Sequence, residues 1–168
     1  MTWYITAKTK LSQKDINSRL KKIIKSNKFF VDMFNAHSVP LDRVDDHLTF
    51  EVKELDGKKA QSDSKTIILN KKIIEKGDFF ENGLHYVVHE LHHWLTRQKE
   101  KNFYFADPEE IDAFSMGMAY EILRGKKAKE ISEIYRPIIE DHFSEEQDAK
   151  KLLKVLFYRA KEKAKQLR

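Results

Sequence analysis

The chain contains no cysteine, so disulfides, thiolate metal ligands and thiol nucleophiles are excluded together. Glycine and proline are scarce, at 5 and 3 residues, which excludes collagen-like repeats and Pro-rich linkers. No apolar run approaches the ~18 residues that a membrane-spanning helix needs. The opening Met1–Thr2–Trp3–Tyr4–Ile5–Thr6–Ala7–Lys8 lacks the apolar stretch of an export signal, so a cytoplasmic protein with no membrane partner is expected. Internal repeats and low-complexity tracts are also missing.

What is present fits a globular domain. The 168 residues and 20.0 kDa suit a single domain over 1–168, long enough to bury a core without covalent staples. Hydrophobic residues make up 40% and charged residues 35%, which argues against a disordered chain. The net charge of +5 is unevenly spread. Residues 1–40 carry 8 Lys/Arg against 2 Asp/Glu, residues 145–168 carry 8 against 4, and the middle carries 16 against 21. Basic end helices could bind nucleic acid. Their lysines alternate with acids and no nucleic-acid motif accompanies them, so a solvated surface is the favoured reading.

Hydrophobic periodicity predicts an α+β domain. Ser12 starts a helical pattern with Ile16, Leu20, Ile23 and Ile24 on one face, and Asn27 stops it. An apolar cluster follows at Phe29–Phe34, and Pro40 closes that region. Leu48, Phe50 and Val52 alternate with polar residues as a half-buried strand does. Residues 58–64 read as a loop or a hairpin arm, and Thr66–Leu69 as a buried strand. Asp78 and Glu81 predict a helix over 79–98. Asp107–Pro108 starts another, ending near Gly125. A short helix is expected up to Pro137, and a Ser144/Gln147 capping box opens a long last one.

The chemistry concentrates in Val88–His89–Glu90–Leu91–His92–His93–Trp94–Leu95, which contains His89–Glu90–x–x–His93. Residues four apart on a helix are stacked one turn above each other, so both imidazoles can reach one ion at the ~2 Å zinc requires. Glu90 is then placed beside a water that the metal acidifies, where a carboxylate serves as general base. Stepping about 100° per residue puts Leu84, Val87, Val88, Trp94 and Leu95 near Leu91, with His89 and His93 opposite, about 40° apart. His85 and His92 cannot join them on one ion; they could line a cleft, and exposed positions are the favoured expectation. The downstream cluster Asp107–Pro108–Glu109–Glu110–Ile111–Asp112 offers a third ligand. A loop of about ten residues before it lets two helices lie side by side.

The pair His89–Glu90–x–x–His93 and Glu110–Ile111–Asp112–Ala113–Phe114 resembles the zincin metallopeptidases. Within them it looks like gluzincins, including small phage-encoded and ImmA/IrrE-type peptidases. The match spans residues 85–118. The resemblance implies a zincin-like fold, Zn2+ as cofactor, Glu110 as third ligand and Glu90 as general base. Many gluzincins have Asp four residues after the ligand Glu, where this chain has Phe114, and Glu109 stays a competing ligand. Glu110 could instead cap its own helix. Asp112 could orient a ligand histidine or be a solvated position. Tyr104, Tyr120, Tyr135 and His142 are open candidates for stabilising an oxyanion. Gly83 and Gly117 suggest close helix approaches.

The expected architecture is a compact zincin-like domain with a small β-sheet, an active-site helix over 79–98 and several C-terminal helices. The resemblance implies a sheet edge where an extended peptide adds as a strand, with Thr66–Leu69 nearby. The expected function is zinc-dependent endopeptidase action on a protein or peptide substrate. Two alternatives stand beside it: a catalytically silent zinc-binding interaction module, and a basic nucleic-acid-associated protein whose histidines are incidental.

Overall fold

The computed structural model describes residues 3–6, 9–96, 108–140 and 146–168. Helices, a two-stranded sheet and a small three-stranded mixed sheet make an α+β fold, as the periodicity predicts. The expected cap Asp107, the capping residue Ser144, the helix end at Gln98, and Tyr104 and His142 lie outside the described residues. The chain divides into two compact units, Met1–Glu100 and Lys101–Arg168.

In the first unit, β1 (Trp3–Thr6) pairs antiparallel with β2 (Thr9–Ser12), a strand the sequence did not reveal. Ser12 then caps α1 (Gln13–Ser26), whose Ile16, Leu20 and Ile24 are buried. Asn27 ends that helix and starts the next. Its N–H donates to the Ile23 carbonyl, while its side-chain oxygen accepts from the Phe29 N–H. The apolar cluster becomes α2 (Lys28–Ala36), burying Phe29, Phe30, Met33 and Phe34. A short α3 (Arg43–His47) precedes the sheet.

The sheet contains β3 (Thr49–Lys53), β4 (Ala60–Ser62) and β5 (Thr66–Asn70), in the order β3-β5-β4. β3 runs parallel to β5, and β4 antiparallel to it. Residues 58–64 therefore supply a hairpin arm. Thr66–Leu69 is the central strand, so it is not the open edge: both its sides are already paired. The outer edge of β3 is also closed. Gln13 accepts from the Val52 N–H (2.7 Å) and donates to the Phe50 carbonyl (2.6 Å), and Asn17 accepts from the Phe50 N–H (2.8 Å). Among the described residues no strand pairs with the outer side of β4.

Asn70 ends β5 and organises what surrounds it. Its amide donates to the carbonyls of Leu55 and Lys58, and its oxygen caps α4 (Lys71–Glu75). The helix predicted over 79–98 is two pieces, α5 (Phe79–Asn82) and α6 (Leu84–Thr96). They divide at Gly83, where a Cβ would lie 2.5 Å from the Phe79 ring and 2.8 Å from its carbonyl oxygen. The close approach at Gly83 is thus to the preceding turn and not to another helix. α6 packs on β4 and β5.

The second unit is α7 (Pro108–Leu123), α8 (Ala128–Glu140) and α9 (Glu146–Gln166). α7 packs mainly on α9. Gly125, at φ +87°, turns the chain after α7 as expected of a left-handed C-terminal residue. α8 does not stop at Pro137 but continues to Glu140. Proline removes one helical hydrogen bond from the Glu133 carbonyl, and both residues are exposed, so water can take that bond.

Candidate metal centre

In the first unit, two imidazoles lie on α6. α6 packs on the sheet, and its Leu84, Val87, Val88, Leu91 and Leu95 are buried. One turn apart, His89 is half-buried and His93 is buried. Their Nε2 atoms are 3.3 Å apart, with ring centroids at 5.0 Å. Two ligands at ~2.05 Å from zinc, subtending a tetrahedral ~109°, lie about 3.3 Å apart. The same separation suits a hydrogen bond between two neutral rings, with the tautomers deciding which ring donates. Glu90, between them in sequence, is buried.

The rest of α6 departs from a simple two-faced helix. His85 and His92 are buried, at 4% and 3% exposure, and not exposed as expected. The His92 ring meets that of His37, at the end of α2, with centroids 5.3 Å apart. The His85 ring lies 4.1 Å from that of Tyr86. Burial and the nearby Asp78 carboxylate raise the Tyr86 phenol above its ordinary 10.0, so it stays a neutral hydroxyl. Trp94, expected on the packing face, is half-buried. It stacks near Phe34 and donates its indole N–H to the Ser64 carbonyl (3.2 Å) in the β4–β5 turn. α6 is thereby fastened to the β4–β5 hairpin.

In the second unit, carboxylates open α7. Glu109 and Glu110 lie in the first turn of α7, where the helix dipole favours negative charge. Glu110 is 1% exposed and Glu109 is half-buried. Asp112 faces α9, with Lys163 at 3.3 Å and Arg159 at 3.7 Å. Ala113 and Phe114 are core residues, and Phe114 meets Tyr135 edge-on at 6.1 Å. Tyr120 and Tyr135 are buried in packing. Burial, foremost, raises the Tyr120 phenol, while the neighbouring Arg124 works against the shift.

His89, His93 and Glu110 make a His–His–Glu donor set that could hold a metal ion. No protein-family model matches the chain, and no curated protein or solved structure matches it significantly. The site has to be argued on its own chemistry.

Three features outside the donor set are not read from the sequence. Glu121 is fully buried on α7, with Arg124 and Lys126 both at 3.3 Å. The Glu121/Arg124 spacing of three was a usable signal. His37 and the Trp94–Ser64 bond depend on contacts between distant segments and leave no local signature.

Proposed function

We propose that the chain is a zinc-dependent endopeptidase of the zincin kind, with His89, His93 and Glu110 as metal ligands and Glu90 as general base. The observation that carries this reading is the 3.3 Å Nε2–Nε2 separation of His89 and His93, which suits two ligands of one tetrahedral ion. Two nitrogens and one carboxylate oxygen also match the chemistry of a catalytic zinc, which keeps a fourth position open. When bound, zinc would act as a Lewis acid, polarising the scissile carbonyl and lowering the pKa of water.

The chain's own residues do the rest. Glu90 takes a proton from the attacking water as its oxygen bonds to the carbonyl carbon. It then returns that proton to the departing amine nitrogen as the C–N bond breaks. Burial of Glu90 keeps bulk water from competing for the carboxylate. An extended substrate strand would lie along β4. Lys59 and Asp63 exchange backbone bonds with β5, so by alternation Ala60 and Ser62 turn their N–H and C=O groups outward. Those groups fix a peptide backbone without reading its sequence.

The test is Glu90→Gln, assayed for metal by elemental analysis and for cleavage on a mixture of denatured proteins. Zinc stays at one equivalent and cleavage falls by at least a hundredfold. Unchanged cleavage removes Glu90 from the mechanism. Zinc bound by a parent chain that cuts nothing leaves the interaction-module reading in its place.

A further inference from the structure

We propose that the solvent-facing stripe of α9 binds single-stranded nucleic acid without sequence preference, Tyr158 stacking on a base and Lys151, Lys154, Lys161 and Lys165 meeting the phosphates. Among the described residues the large hydrophobic side chains left exposed are Val155 and Tyr158, at 46% and 68%, both on this helix. Single exposed apolar groups are common and mean little alone. The setting of this ring is what distinguishes it. At 100° per residue the four lysines fall within about 60° of Tyr158. All four are exposed. Lys165 and Lys151 have acidic companions, Glu162 at 2.8 Å and Asp148 at 4.0 Å. Lys154 and Lys161, one turn either side of the ring, make no ion pair among the described residues.

The chemistry of this face selects its partner. A membrane surface would need a broad apolar side to insert. On the apolar side of α9, Leu156, Ala160 and Ala164 are buried and Leu152, Leu153 and Phe157 half-buried, so the fully exposed apolar groups are one ring and one valine, too few for insertion. An acidic peptide would satisfy the lysines and leave the phenol unused. In a duplex the bases are stacked on each other and the ring cannot reach their faces. A single strand uses both features, phosphates on the ammonium groups and a base on the ring. The face belongs to the second unit and stands whether or not the metal reading holds.

The experiment uses the full chain with a fluorescein-labelled 20-residue oligothymidylate, followed by anisotropy across a sodium chloride series. Four lysines predict a slope of log K on log salt of about −3, at ~0.7 per phosphate contact. Lys154→Gln with Lys161→Gln flattens the slope by about 1.4. Tyr158→Ala weakens binding about tenfold at unchanged slope. All three side chains are exposed, and circular dichroism melts confirm that the variants fold. The proposal is overturned if no binding is seen at 50 mM salt, or if Tyr158→Ala has no effect. It is equally overturned if a duplex of that length, phosphatidylserine vesicles or polyglutamate compete as well as the unlabelled strand.

Discussion

At the start of α1, the Ser12 oxygen accepts from the Asp15 N–H, while the Asp15 carboxylate accepts from the Ser12 hydroxyl (2.6 Å) and N–H (2.9 Å). Those bonds, the hydroxyl first, hold the Asp15 carboxyl below its ordinary 3.8. A carboxyl depressed in the fold stabilises it above the unfolded pKa, and that contribution is lost as pH falls through the folded value. Loss of the N-cap bond from the Asp15 N–H makes Ser12→Ala cost about 1 kcal/mol in urea unfolding at neutral pH. The variant should also show a shallower loss of stability on acidification below 3.8 than the parent. Asp112 makes a second residue-level case. With its carboxylate between Lys163 and Arg159 and partly exposed, Asp112→Asn should cost less than ~1 kcal/mol. It should leave the metal content unchanged, and loss of metal would instead tie Asp112 to a ligand histidine. At this scale the pairing of His89 with His93 is legible because they are one turn apart on a helix with a clear apolar face. The burial of His85 and His92 was not, since a helical wheel shows one helix and not what covers it.

Elements with a sustained period were legible, and their ends less so. α1 and β3 follow from spacings of 3.6 and 2 and from Ser12 and Asn27 as caps. The five-residue α3 and α4 are shorter than any window in which a period can be recognised. The position of β5 at the sheet centre depends on pairing between segments distant in sequence. A local pattern reports that Ile67 and Leu69 are buried, and says nothing of which strands flank them. Gly83 gives this scale its sharpest test. A methyl there meets the Phe79 ring and carbonyl, so Gly83→Ala should destabilise by about 1–3 kcal/mol, measured by thermal melt. A neutral result would mean that the α5–α6 junction relaxes freely.

At the scale of the whole chain, the candidate metal group is His89, His93 and Glu110. No described helix is long and apolar enough to cross a membrane. An ion that binds only the folded chain stabilises it by mass action, about 2.7 kcal/mol at a hundredfold excess over its Kd. Chelation should accordingly lower the melting temperature of the parent and leave that of His93→Ala unmoved. The charge arithmetic of the sequence located a basic end segment. Only the structure separated its buried lining from the exposed lysines around Tyr158. The central claim is that His89, His93 and Glu110 together hold zinc. Elemental analysis of the purified parent beside His89→Ala, His93→Ala and Glu110→Ala tests it most directly. The account predicts one zinc per parent chain and a loss of at least tenfold in affinity for each variant. A zinc-free parent in zinc-replete buffer, or full occupancy in the folded histidine variants, would contradict it.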